Sequence, residues 1–418
     1  MSQAPQIAAD LLKFIDASPT AFHATQNLLN LFTAAGFEQL QEGDAWQCEA
    51  NGQYVVTRND SSIIAFRLGE DVMSGLQMVG AHTDSPCLKI KPNPELSSQG
   101  YLQLGVEVYG GALLHPWFDR DLSIAGRVSG TNEAGELVSV LVDLKQPIAV
   151  IPSLAIHLNR EVNSKSSVNA QTQLPLILGQ SDQVELKTLL LEHTGGALST
   201  ILDYELSCYD TQPGSFVGLE QEFIAIARLD NLLSSYVGAR ALIDSDGGNA
   251  LYVSTDHEEV GSTSACGAAG PFLRSVLERL CASPDELTRL ISRSYLISAD
   301  NAHGVHPNYS DRHDKSHGPI LNQGPVIKVN ASQRYASNSV TSARFQQICE
   351  KADVPVQHFV MRADMACGST IGPITAGELG VDTLDIGVAQ WAMHSIRETA
   401  GSQDIDYLHR ALIAAYNQ

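Results

Sequence analysis

Three apolar runs in this 418-residue chain end in residues able to bind a metal or move a proton. Leu76–Ala81 leads into His82-Thr83-Asp84, Ala250–Thr255 into Asp256-His257-Glu258-Glu259, and Ser294–Ala299 into Asp300-Asn301-Ala302-His303. Short apolar runs of this kind read as buried strands of a parallel sheet. In open α/β sheets ligands collect at the carboxyl ends of the strands. Three such ends bearing His, Asp and paired Glu point to one shared metal site. Such a site would suit peptide or amide hydrolysis, because a divalent cation lowers the pKa of water and polarises a carbonyl. Two cations about 3.5–4 Å apart can also bind a free amine and stabilise a tetrahedral oxyanion.

His82 is the first candidate ligand, and zinc accepts imidazole and carboxylate alike. Asp84 could hold the far N–H of that imidazole, or cap the next turn. Glu258 and Glu259 repel each other unless positive charge is near. One can bind metal while the other takes a proton from the attacking water, although an exposed acidic turn has the same sequence. Asp300 reads as a ligand or as an Asx turn. Asp230 opens a helix, where it is an N-cap or a bridging ligand. His394 follows a Gln-Trp turn and, taken singly, is a structural histidine. Together Asp230, Glu259, Asp300, His82 and His394 give three carboxylates and two imidazoles. With a hydroxide, that charge roughly neutralises two divalent ions.

Those residues need a scaffold. Amphipathic spacing predicts helices near the N-terminus, from about Ile7 to Ile15 and over 24–32, then a hairpin over 54–66 with an Asn-Asp turn. Residues 91–221 show short alternating runs (102–109, 122–129, 137–144) and little helical periodicity. They read as a β-rich domain inserted into an α/β domain formed by 1–90 and 222–418. The second part alternates helix 232–243, strand 250–255, helix 271–280, strand 294–299, helix 339–352, and strands 355–361 and 382–387. His82 thus precedes the insert and the other candidate ligands follow it, so spacing alone does not establish a site.

The net charge is −21, which argues against nucleic acid and anionic membrane as partners. Seven scattered cysteines without a CxxC pair fit a reduced, cytoplasmic protein. The N-terminus has no basic start and apolar stretch, so no signal peptide is expected, and no run approaches bilayer length.

The chain resembles the aspartyl aminopeptidase-type zinc metallopeptidases along essentially its whole length. The resemblance is carried by Gly80–Pro86, Arg228–Asn231, Asp256–Ser262, Asp300–Tyr309, Gly324–Asn330, Gln333–Ala336 and Ala392–Glu398. It implies a zinc-exopeptidase-like fold with a mixed central sheet flanked by helices, and two zinc ions per subunit, with Mn²⁺ or Co²⁺ as substitutes. His82 and Asp300 would hold one ion, Glu259 and His394 the other, with Asp230 bridging. Glu258 would be the general base and Asp84 would orient His82. His303, Lys328 and Tyr335 match substrate-contacting positions. Lys328, a cation in an apolar strand, would favour an acidic N-terminal residue, although a structural ion pair is the plain alternative. Tyr335 could donate to the oxyanion. His157, which on its own reads as core or sheet edge, matches a histidine reaching a neighbouring subunit's substrate, or alternatively a metal ligand. His306, His313 and His317 read as a loop over the pocket. The resemblance implies peptide substrates and self-association, into a dodecamer, through the β-rich insert. Met365-Ala366 departs from the pattern before Cys367-Gly368 and bears on side-chain preference.

Two other readings use the same residues. One is a metal-dependent amidase or deacylase acting on small N-acyl molecules. The other is a non-catalytic self-assembling scaffold, against which the complete ligand set argues.

Overall fold

The computed structural model describes residues 5–180 and 185–418. They divide into two compact units, each with its own core. One comprises Met1–Asp84, Gly214–Met393 and Glu398–Gln418, and the other Ser85–Pro213 and His394–Arg397.

The first unit is built on a nine-stranded mixed sheet. Its order is Glu38–Gln39, Gln53–Arg58, Ser62–Arg67, Ala250–Thr255, Gln77–His82, Tyr295–Ala299, Asp382–Gly387, Val326–Val329 and Gln357–Val360. The four central strands, Ala250–Thr255 through Asp382–Gly387, run parallel in register, with Thr255 opposite His82 and Ser298 opposite Gly80. Every residue of Ala250–Thr255 and Tyr295–Ala299 is buried, which explains why both runs are continuously apolar or small. The hairpin Gln53–Arg67 turns through the three residues Asn59, Asp60 and Ser61, with Asn59 and Asp60 at the positive φ that Asn and Asp tolerate.

Helices cover the sheet with apolar faces. Gln6–Asp16 buries Leu11, Leu12, Phe14 and Ile15, and Thr20 caps the following helix, Ala21–Ala34, through the His23 N–H. Leu229–Asp244 is buried over nearly its whole length and joins Ser402–Tyr416 in the same core as Leu232, Val237, Leu408 and Leu412. A smaller sheet of five strands contains Phe223–Ile226, Glu398–Gly401 and Ala302–His303.

The second unit is a six-stranded antiparallel sheet, in the order Leu137–Asp143, Leu122–Thr131, Thr200–Asp210, Cys87–Ser98, Tyr101–Tyr109 and Leu176–Gly179. Leu88, Leu104, Ile124, Val128 and Leu206 form its core. The boundary expected after residue 90 falls inside the strand Cys87–Ser98, which pairs along Tyr101–Tyr109. The boundary expected after residue 221 falls beyond Ser215–Val217, a strand that pairs with Phe223–Ile226 of the first unit. Hydrogen-bonded pairing, rather than a change of composition, sets where each unit ends. The short helix Leu186–Glu192 was not expected, since two turns leave little periodicity to read.

Candidate metal centre

His82 is the hub of the site. It ends a central strand, is 1% exposed, and its backbone carbonyl accepts from Ser235 Oγ at 2.7 Å. Its Nε2 lies 3.4 Å from Asp230 Oδ1, 3.7 Å from Asp300 Oδ1 and 3.9 Å from Glu258 Oε2. On the other side of the ring, Nδ1 faces the Asp84 backbone carbonyl at 3.1 Å and the Asp84 carboxylate at 3.3 Å. The four carboxylates come from four different segments: Asp84, Glu258 and Asp300 follow neighbouring parallel strands, and Asp230 opens a helix.

The Glu pair sits on a single 3-10 turn, Glu258–Val260, entered through His257 at φ 66. Asp84 accepts both of its backbone amides: Glu258 N–H to Oδ1 and Glu259 N–H to Oδ2, each at 3.1 Å. Asp230 and Asn231 stand at non-helical dihedrals where the helix Leu229–Asp244 begins, joined by a cis peptide bond. The Asp230 N–H donates to Glu398 Oε2 at 2.9 Å, and Asn231 Nδ2 donates to the Ala299 carbonyl at 2.8 Å. Asn301 Nδ2 donates to the Leu229 carbonyl and to Gln390 Oε1, both at 2.8 Å. These amides fix the backbone on either side of Asp230 and Asp300.

The electrostatics are those of a carboxylate cluster short of cations. Burial, opposed by His82 and reinforced by Asp300, Asp230 and Asp84, pushes the Glu258 carboxyl up to about 8. Burial and Asp230 raise Glu259 well above the usual carboxylate range. Burial disfavours the His82 imidazolium, but Asp230, Asp300 and Asp84 outweigh it and raise that pKa well above the ordinary value. Two overlapping triads, His82–Asp230–Glu259 and His82–Glu258–Asp300, each place one ligand atom per residue within 4.8 Å of the others. An imidazole surrounded by hard carboxylate oxygens fits zinc in both donor type and charge.

Other expected residues lie outside these two triads. Lys328 is 2% exposed, with Nζ 3.5 Å from Asp300 Oδ2, 3.1 Å from the Asn301 carbonyl and 5.0 Å from the centre of the Tyr335 ring. Tyr335 is buried, and burial together with the Cys367 thiol raises its phenol. His303 lines a cleft of about 280 Å³ with His306, His313, Arg312, Phe359 and Trp391. His317 pairs with Asp314 at 2.7 Å. His394 belongs to the second unit, where its Nδ1 is 3.2 Å from the Gly111 carbonyl. His157, read from its sequence as core or edge, is instead exposed in an irregular segment between Leu154 and Leu158. Its apolar neighbours misled the pattern because they too are exposed. Glu398 and Asn301 are structural members of the site that received no role from sequence. A glutamate only 1% exposed is the signal, and burial is visible only in the fold.

The sequence profile described as Aminopeptidase I zinc metalloprotease (M18) matches residues 14–416. The chain belongs to the M18 family. It is 59% identical over 423 residues to a probable M18 family aminopeptidase 2 of Ectopseudomonas mendocina, with 99% of this chain and 98% of that protein covered. Among solved structures, that of an Ape4 and Nbr1 complex superposes with a TM-score of 0.95 at 39% identity, covering 100% of this chain and 87% of that one. The Saccharomyces cerevisiae mApe1 dodecamer gives 0.86 at 28% identity, covering 98% and 95%. Like its M18 relatives, this chain is an aminopeptidase and a zinc metalloprotease. Among the described residues, no helix is long and apolar enough to cross a membrane.

Proposed function

We propose that this M18 enzyme is a dinuclear zinc aminopeptidase that removes N-terminal residues from peptides and prefers Asp or Glu at that position. The observation carrying the proposal is the convergence of Asp230, Glu258 and Asp300 on His82 Nε2, with Glu259 in an overlapping triad. His82 and Asp300 would hold one ion, with Asp230 shared. Glu259 would hold the second with His394, the latter assigned by sequence resemblance. Mn²⁺ or Co²⁺ would serve in place of zinc. Zinc, when bound, supplies a Lewis acid for the scissile carbonyl and charge to lower the pKa of the attacking water.

The chain's own residues supply the rest. Glu258 takes the proton of the attacking water and passes it to the leaving amine, a role that needs a carboxylate not committed to a strong ion pair. Asp84 fixes the His82 ring and, through two amide hydrogen bonds, the direction in which Glu258 points. Tyr335 donates to the developing oxyanion. The cleft at His303 is lined by three imidazoles and by Arg312 and Arg362, the latter paired with Asp364, and its basic lining supports an acidic side chain. The buried ammonium of Lys328 adds to that field.

Self-association into a cytoplasmic homododecamer completes the reading. Leu154, Ile156 and Leu158 are 59%, 45% and 74% exposed on either side of His157, more apolar surface than a free loop would carry. That surface would meet a second copy and present His157 to its substrate. Metal analysis together with a kinetic scan of N-terminal residues tests the proposal. At least about two zinc ions per chain and faster cleavage after Asp or Glu are expected. One ion per chain, or faster cleavage after neutral residues, would overturn it.

A further inference from the structure

A second group of donors stands beside the Glu258 turn and has no role in the proposed reaction. Asp256, His257 and Cys266 each offer one ligand atom, all within 4.8 Å of one another. Asp256 follows the central strand Ala250–Thr255 and is 5% exposed. His257, at positive φ, brings Nε2 to 3.5 Å from Asp256 Oδ2. Cys266 is 4% exposed and returns from the following loop to place Sγ 3.5 Å from His257 Nδ1.

The surroundings of this thiol set it apart. Cys208 and Cys349 lie inside hydrophobic clusters, as buried structural cysteines do. The Cys266 sulfur instead faces Ser264 Oγ at 3.6 Å, and Ser61 Oγ and Asn59 Nδ2 at 3.9 Å each. Ser264 Oγ also meets His257 Nδ1 at 2.9 Å. A sulfur among polar groups, with an imidazole and a carboxylate at hand, has the surroundings of a ligand rather than of a core methyl.

We propose that Asp256, His257 and Cys266 form a binding site for one soft divalent cation, zinc or cadmium, additional to the His82 cluster. Thiolate, imidazole and carboxylate are the zinc donor set. At zinc–sulfur and zinc–nitrogen distances of about 2.3 and 2.1 Å, tetrahedral donors stand about 3.5 Å apart, the spacing of Cys266 Sγ and His257 Nδ1. Nδ1 of His257 exchanges its contact with Ser264 Oγ for the cation, and Asp256, whose Oδ2 faces the other ring nitrogen at 3.5 Å, turns to meet it. The Cys266 thiol proton leaves to solvent as the metal–sulfur bond forms. The His257 side chain is 28% exposed, which gives the ion a way in, and solvent or Ser264 Oγ fills the fourth position. The occupant would tie down the backbone immediately before Glu258.

Sulfur makes the test independent of the proposed catalytic ligands, none of which contains it. The purified full-length protein is titrated with Co²⁺ beyond the catalytic complement, and a thiolate-to-cobalt charge-transfer band is sought in the near ultraviolet. The band is expected in the unaltered protein and in Cys367→Ser, and is expected to vanish in Cys266→Ser. A second measurement needs no variant: X-ray absorption of the unaltered protein with excess zinc, where a sulfur neighbour at about 2.3 Å is expected. No band, a band that survives Cys266→Ser, or no sulfur neighbour overturns the site.

Discussion

The carboxylate of Asp84 lies 3.3 Å from His82 Nδ1 and also accepts the backbone amides of Glu258 and Glu259. One side chain, itself 4% exposed, therefore sets both the orientation of the central imidazole and the position of the Glu pair. Metal-ligating histidines usually donate their far N–H to such a partner, and losing it costs about 10–100-fold in metal affinity or activity. Asp84→Ala should weaken zinc binding by about that factor and also lower kcat, because the Glu258 turn loses two acceptors. A chelator competition assay gives the first quantity and steady-state kinetics the second. Unchanged affinity would show that Asp84 only shapes the turn.

Glu258→Gln keeps the shape and the amide hydrogen bonds to Asp84 but cannot take a proton. A general base contributes about 10²–10⁴-fold, so kcat should fall by at least that much. Zinc content should stay as in the unaltered enzyme. Surviving turnover at full zinc occupancy would remove Glu258 from the base role.

The metal-free protein should depend on pH in a definite direction. Glu258 has a folded pKa of about 8, above the ordinary 4.5, so its stabilising share is full below about 4.5 and is lost as pH rises through about 8. The chelated protein should melt at progressively lower temperature across that window, while the zinc-loaded protein should not. Zinc must also expel protons from Glu258 and Glu259, so its affinity should rise with pH up to about 8. Calorimetry in two buffers of different ionisation enthalpy would report the released protons. A pH-independent affinity would contradict the buried, protonated carboxylates.

Lys328 separates two roles. Its ammonium lies 3.5 Å from Asp300 Oδ2 and is buried, so Lys328→Met removes a charge that substrate and ligand could share. If it selects acidic side chains, kcat/KM should fall more for Asp and Glu substrates than for Ala or Leu ones. An equal loss across the panel, accompanied by weaker zinc binding, would make it a residue that positions Asp300.

Much of this was legible in the chain because local patterns are short-range. The all-buried strands over 250–255 and 294–299 announce themselves by continuous apolar composition, and the Asn59-Asp60 turn by its residue types. The hydrogen bonds of Asp84 were half visible, since its spacing from His82 is local while its hold on Glu258 spans 174 positions. The run around His157 reads as core or sheet edge yet is exposed, because exposed and buried apolar runs have the same letters. Glu398 passed without a role because nothing in its neighbours signals that it receives the Asp230 amide.

Sequence by itself determined the strand ends, the chemical types of the ligands and the family. Only the tertiary structure decided that Asp230, Glu258, Glu259 and Asp300 gather around His82, and that a second group forms from Asp256, His257 and Cys266. The physical reason is that convergence depends on strand register and loop return, which are set by packing between segments far apart in the chain. No local run of residues encodes them.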